Sequence, residues 1–216
     1  MLLLLARHGN TFETGDRVVW VGARTDLPLT AKGREQAAAL GEGLQPLRAA
    51  IKRIVSGPLK RTRDHADIAA RALGFAQPIG IDGRLREIDY GLWEAKTSGE
   101  IEALGGAHEL SAWDKNGIWP TSPRWSPPEE TVTANVTQLA HDLEASLGKD
   151  DAALLVTSNG ILKFFLKLVP GAFEDMAASG LLKVSTGNCC ALAFEAGAWR
   201  VVFWNRHPGR LALDQP

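Results

Sequence analysis

The chain alternates short apolar runs with longer segments whose apolar positions recur every three or four residues. Leu2 to Ala6 is an unbroken apolar run, the pattern of a strand buried on both faces of a parallel sheet. Behind it, Ala37, Leu40, Leu44 and Leu47 fall at helical steps and form one stripe, with Thr30 placed to cap the helix. IKRIVS at residues 51–56 predicts a second strand. Gly57-Pro58 follows, Pro58 suiting a first helical turn, and Ala66, Ala69 and Leu73 mark the inner face of a second helix. Val132, Val136, Leu139, Leu143 and Leu147 predict a long amphipathic helix that starts beside Glu129 and Glu130 and stops at Gly148. AALLVT at residues 152–157 is another buried strand, followed by Asn159-Gly160 and a helical run from Ile161 to Leu168. The segment CCALAFEAGAWRVVFW reads as two strands joined at Glu195-Ala196-Gly197, a hairpin. Strands alternating with helices predict an α/β fold, a three-layer α/β/α sandwich with a mostly parallel central sheet, as one domain over residues 1–216.

Residues 95–128 fit that alternation least. They hold three of the seven tryptophans, Trp113, Trp119 and Trp125, and a proline-rich loop from Thr121 to Pro128. The expectation is an insertion packed over the sheet edge. It is either a lid on a site or a loop stapled down by its aromatics.

Composition narrows the function classes. A chain of 216 residues can bury one sizeable core. With 24 basic and 25 acidic residues it carries neither the basic footprint of a nucleic-acid binder nor a polybasic membrane patch. No segment approaches the roughly 20 apolar residues of a membrane span. A signal peptide places its charge before the apolar run, whereas Arg7 comes after it. The two cysteines, Cys189 and Cys190, are adjacent and suit no disulfide framework, which fits a reducing compartment. The expected setting is therefore cytoplasmic, with neither nucleic acid nor membrane as partner.

In open parallel sheets, ligands bind beyond the carboxyl ends of the strands. Here the first strand ends in Arg7-His8-Gly9-Asn10-Thr11, and the second ends in Ser56 and leads to Lys60-Arg61. The AALLVT strand ends in Thr157-Ser158-Asn159-Gly160. A histidine, two arginines, hydroxyls and helix N-termini on one rim describe a phosphoryl pocket better than a hydride or metal site. His8 reads in two ways: a structural ring bonded to a backbone carbonyl, or a neutral ring nitrogen that attacks phosphorus. Gly9 permits close backbone approach and Arg7 would neutralise charge on the transferring group. Arg61 is either a solvated charge in the KRTR run or a phosphate ligand, and its place in the first helical turn favours the second. The acid that protonates a leaving oxygen would come from Glu87, Asp89 or Glu94. Spacing does not choose among them, and an ion pair with Arg84 or Arg86 accounts for any of the three.

Taken together these motifs resemble the histidine phosphatase superfamily in its phosphoglycerate-mutase-like branch, over most of the chain. Leu5-Ala6-Arg7-His8-Gly9-Asn10-Thr11 is similar to the family's strand ending in R-H-G-x-T. Thr25-Asp26-Leu27-Pro28-Leu29-Thr30, with Gly33 and Gln36-Ala37, is similar to its D-x-P-L-T-x-x-G-x-x-Q-A stretch. Ser56 to Thr62 matches S-x-P-L-x-R-A/T, and Leu85 to Glu94 matches L-x-E-x-x-x-G-x-W-E. R-H-G alone is a weak signal; four motifs in family order are a strong one. The resemblance implies that His8 is the phosphorylated nucleophile, that Arg7 and Arg61 hold the phosphoryl oxygens, and that Glu87 is the proton donor. It places Asn10, Thr11, Thr14 and the Gly22-Ala23 loop near the substrate, and it implies chemistry without metal or cofactor.

The chain departs from the family at the fourth corner. Relatives carry V-S-H-G-G after the later strand, whereas this chain reads Val156-Thr157-Ser158-Asn159-Gly160, with Ser158 where the second histidine belongs. None of His65, His108, His141 or His207 stands where it would substitute. Serine donates one neutral hydrogen bond and brings no charge, and losing one transition-state donor slows an enzyme by about 10²–10³. Asn159 could compensate in part. Thr14 stands where many relatives have asparagine, Pro128-Glu129-Glu130-Thr131 only loosely resembles the family's G-E-S, and Asn205-Arg206-His207 is similar to a C-terminal N-x-H. The leading expectation is a phosphatase acting on a small phosphorylated metabolite. The alternative is a degenerate relative that binds phosphorylated ligands or a partner protein; a phosphoglycerate mutase ranks third. A homodimer paired through an edge strand is left open.

Overall fold

In the computed structural model, which describes residues 1–211, the opening apolar run is strand β1 (Leu2–Arg7), with Leu3 to Ala6 fully buried. The chain then forms α1 (Ala31–Gly43), β2 (Ile51–Ser56), α2 (Lys60–Leu73) and the two-residue β3 (Gly80–Ile81). Two short helices, α3 (Ser98–Ile101) and α4 (Ala107–Asn116), precede the long α5 (Glu129–Ser146) and β4 (Ala152–Thr157). One turn of helix, α6 (Asn159–Leu162), runs on into a 3-10 segment, Lys163–Leu168. Helix α7 (Ala172–Ala178) and the strands β5 (Cys189–Glu195) and β6 (Ala198–Arg206) follow.

The strands pair in the order β3-β2-β4-β1-β5-β6. The first four are mutually parallel because long connections carry the chain back between them. β5 and β6 are antiparallel and are joined by Ala196 and Gly197, both at positive φ (51° and 81°), the backbone that a tight hairpin turn requires. Alternation along each strand sorts the core into two layers. Leu3, Leu5, Ala153 and Leu155 pack towards α5 and the aromatic residues, while Leu4, Ala6, Leu154 and Val156 pack towards α1 and α2. The sandwich is thus α/β/α with a mixed, largely parallel sheet.

Several element ends differ from the sequence pattern for local reasons. Helix α2 starts at Lys60, after an extended Leu59, because the Lys60 N–H is taken by Asp26 at 2.6 Å; Pro58 therefore lies before the helix. Helix α5 ends at Ser146, and Gly148 sits beyond an extended Leu147 with its N–H donated to Asp151. Thr30 caps α1 as its position suggests, accepting from the Gly33 N–H at 3.0 Å.

Residues 95–128 both pack and line. Trp125 lies 4.8 Å from the ring centres of Tyr90 and Trp113 and 5.3 Å from those of Trp93 and Trp119, anchoring the segment in the aromatic layer. Ser98, Trp113 and Asp114 from the same segment face a cavity beyond the strand ends. Among the described residues, no helix is long and apolar enough to cross a membrane.

Candidate active site

Sheet register brings the site together. Arg7 at the end of β1 pairs with Thr157 at the end of β4, and Val156 pairs with Ser56 at the end of β2, so three strand tips share one rim. The His8 N–H donates to the Thr157 carbonyl at 3.0 Å, continuing the ladder one residue further. The loop then turns sharply against α1. A Cβ on Gly9 would lie 2.4 Å from the Gly33 carbonyl oxygen, so only glycine lets the two backbones meet. The Gly9 N–H donates to His65 Nδ1 at 3.0 Å, from α2. Gln36 of α1 clamps the next residue: its Oε1 accepts from the Asn10 N–H at 2.8 Å and its Nε2 donates to the Thr186 carbonyl at 3.0 Å. These contacts hold His8 from three elements, β4, α1 and α2.

His8 is 6% exposed, and its Nδ1 lies 2.8 Å from the Gly9 carbonyl oxygen. A carbonyl can only accept, so Nδ1 carries the proton and Nε2 keeps its lone pair. Burial, with Arg61 and Arg7 close by, holds the ring well below the usual histidine range. The imidazole is therefore neutral at pH 7.

The two arginines donate only to carbonyls, and Arg7 Nε is buried with no partner among the described residues. Arg7 Nη1 donates to Val184, and Arg61 donates to Thr25 at 2.7 Å and Gly22 at 3.1 Å. Among the described residues neither has a carboxylate oxygen within 4 Å, so two positive charges stand unneutralised over one cavity. Glu87 sits opposite. Its Oε1 accepts from the Ile88 N–H at 2.9 Å and its Oε2 from the Gly160 N–H at 3.2 Å. Gly160 is needed there: a Cβ would fall 2.3 Å from Glu87 Oε1. Burial raises the Glu87 pKa, with Arg61 pulling the other way. A buried carboxyl in this state retains its proton higher in pH than an exposed one does.

The cavity measures about 400 Å³ and is lined by Arg7, His8, Asn10, Thr11, Arg61, Glu87 and Asn159, and by an aromatic and aliphatic wall that includes Trp20, Tyr90 and Trp113. Four of the expected residues do not line it. Thr14 is exposed on the loop beyond Thr11. Gly22 is buried under Glu94, to whose Oε1 its N–H donates at 3.0 Å, and its carbonyl serves Arg61. Ala23 faces a neighbouring cavity of about 330 Å³, and Val18 to Val21 occupy the wall in place of the Gly22-Ala23 loop. Ser158 is buried with its Oγ lacking any hydrogen-bond partner, and it does not line the cavity. The lining also includes Thr186, Lys183 and Asp114, which carry no motif and come together only through folding. Asp89 and Glu94, the other two acids of that stretch, point elsewhere: Asp89 pairs with Arg24 at 3.0 Å and Glu94 accepts from Gly22 and Thr25.

An α/β sandwich with a neutral strand-end histidine between two carboxylate-free arginines defines a candidate phosphoryl-transfer site. The model of the histidine phosphatase superfamily (branch 1) matches residues 3–207, and the chain belongs to that superfamily. It is 33% identical over 172 residues to the glucosyl-3-phosphoglycerate phosphatase of Mycolicibacterium vanbaalenii, a match covering 74% of this chain and 70% of the relative. It is 44% identical over 92 residues to the Citrobacter koseri protein named "Probable phosphoglycerate mutase GpmB", covering 43% of this chain and 40% of that one. The match thus spans less than half the length of that relative. Among solved structures, a mycobacterial glucosyl-3-phosphoglycerate phosphatase complexed with VO3 superposes with a TM-score of 0.79 at 26% identity, covering 94% of this chain and 98% of the other.

Proposed function

We propose that this chain hydrolyses a phosphomonoester of a small metabolite through a phosphohistidine at His8. The observation that carries the reading is the Nδ1 hydrogen bond to Gly9, which leaves His8 Nε2 free for phosphorus between Arg7 and Arg61. Nε2 forms a bond to phosphorus as the bond to the leaving oxygen breaks, and protonated Glu87 gives its proton to that oxygen. The Glu87 carboxylate then takes a proton from water as the water oxygen attacks the phosphohistidine. Phosphate leaves, and both side chains return to their starting forms. Arg7 and Arg61 stabilise the equatorial oxygens throughout, so the reaction needs no metal or cofactor. Asn10, Thr11 and Asn159 contact the substrate from the rim, and residues 95–128 cover it. A cavity of about 400 Å³ suits a small molecule. The phosphatase name of the relative matched over 74% of this chain, and of the superposed structure, supports hydrolysis over transfer to a second acceptor. The mutase name belongs to a match over 43% of the chain.

The buried, unpartnered Ser158 favours a second reading, a relative that binds phosphorylated ligands without turning them over. One experiment separates the two. Phosphate release is measured from p-nitrophenyl phosphate and a panel of phosphorylated metabolites, with chelator present, for the native protein and His8→Ala. Turnover with a trapped phosphohistidine, both lost in His8→Ala, is expected. No turnover with any substrate would transfer the assignment to the binding relative.

A further inference from the structure

Ser158 leaves the rim one cation short of the superfamily pattern, and the fold holds a cation for which the mechanism above has no use. Lys163 opens the 3-10 segment after α6, four residues beyond Asn159, so both side chains lie on one face. Lys163 is 2% exposed. Its Nζ lies 3.7 Å from the centre of the Trp113 ring; Trp113 lines the cavity beside Asp114 and Asn159, and Lys163 stands directly behind that lining. Among the described residues the ammonium makes no hydrogen bond and has no carboxylate oxygen within 4 Å. Its neighbour Lys167 is conventional by comparison, paired with Glu129 at 2.7 Å.

A lysine this deeply placed with no carboxylate to pair with is an anomaly that packing does not explain. Desolvating an ion is far more unfavourable than one aromatic face can offset. A methionine or leucine would fill the same volume without that penalty. The charged groups that face Lys163 are Asp114, Glu87, Lys183 and Arg7. Glu87 already accepts from two backbone N–H groups, and Asp114 stands beyond ion-pair distance. Burial pushes the Lys163 pKa down to about 8 against the pull of Asp114 and Glu87, so at pH 7 it remains mostly charged.

We propose that Lys163 is an anion-binding residue of this cavity, giving an anionic oxygen of the substrate the positive charge that Ser158 does not supply. The proposal rests on the reading of the cleft as a phosphomonoester site and adds to it a cation on the lid side, beside Trp113. Two sources offer that oxygen: the transferring phosphoryl group itself, or a carboxylate or second phosphate on the leaving group. The chemistry is the same, a charge-assisted hydrogen bond from an ammonium to an oxyanion.

Equilibrium titration in a His8→Ala background tests this without turnover. The probes are inorganic phosphate, glycerol 3-phosphate and 3-phosphoglycerate, the last two differing by one carboxylate. Lys163→Met keeps length and packing on Trp113 while removing the charge. At pH 7 it is expected to weaken binding by about tenfold or more, the range for a hydrogen bond to a charged group. A deficit with inorganic phosphate assigns the ammonium to the phosphoryl group. A deficit confined to 3-phosphoglycerate assigns it to the leaving group's carboxylate. Affinities left unchanged by Lys163→Met for all three probes overturn the proposal. Lys163→Arg supplies the second test if the methionine variant folds poorly. With lysine the affinity for the responding probe falls as pH rises through about 8, relative to the arginine variant, which stays charged. Parallel pH curves would overturn the proposal as well. A native protein that forms no phosphohistidine would remove the hydrolase reading and leave these titrations to judge Lys163 separately.

Discussion

Replacing Glu87 with glutamine tests the proton donor, and the local geometry sets what it should do. The carboxylate accepts from two backbone N–H groups, one on each oxygen, at 2.9 Å from Ile88 and 3.2 Å from Gly160. Glutamine has one acceptor oxygen, so its NH₂ group confronts one of those donors. Leaving a buried donor unpaired lowers stability by ~1–3 kcal/mol. The kinetic effect is separable. General acid catalysis is worth about 10²–10⁴ where the leaving group needs its proton, or ~3–5 kcal/mol of barrier. An alkyl phosphate needs it; p-nitrophenyl phosphate expels a stable phenolate and needs little help. The variant should therefore lose ~10²–10⁴ in kcat/KM on glycerol 3-phosphate and less than about tenfold on the aryl substrate. Burial raises the Glu87 pKa, so in the native protein the acid form persists above the usual carboxylate range. As pH rises through that raised value the donor is lost and alkyl-phosphate turnover declines, a limb the variant lacks. The assay is kcat/KM for both substrates across pH, at temperatures where circular dichroism shows both proteins folded. Equal losses on the two substrates would refute the role of Glu87 as acid to the leaving group.

Two further outcomes follow from the same geometry. Ser158→His restores a ring at a position whose hydroxyl has no partner, and it should raise kcat by about tenfold to 10³-fold if the native site lacks one transition-state donor; an unchanged or lower kcat would mean that the corner is already filled. His65 accepts the Gly9 N–H, and burial pushes its pKa to about 3. The unfolded chain protonates this ring near 6.5 and the folded one does not until about 3, so its contribution is complete above 6.5 and declines as pH falls towards 3. Between pH 7 and about 4.5 that amounts to roughly 2–3 kcal/mol, and His65→Gln should flatten the slope of urea-derived stability by about that amount. Identical slopes for the two proteins would refute it.

Much of this architecture is written in local pattern. Fully apolar runs such as Leu2 to Ala6 and AALLVT, separated by amphipathic helices, suit only strands covered on both faces, and the register of parallel neighbours then brings their ends to one rim. The motif around His8 and Gly9 was equally legible, because the glycine and the histidine are adjacent in the chain. The choice among Glu87, Asp89 and Glu94 was not legible from spacing. It depended on which acid lies against Gly160, more than seventy residues away, and on Arg24 and Thr25 engaging the other two. Lys183, Thr186 and Lys163 carry no local signal for the same reason, save the four-residue step from Asn159 to Lys163. The sequence by itself determined the layers of the fold and singled out His8 as the candidate histidine, since both follow from neighbours along the chain. Only the tertiary structure decided the proton of His8, the acid that faces it and the cation beneath Trp113, because each depends on what lies across the cavity and on how far water is excluded from it.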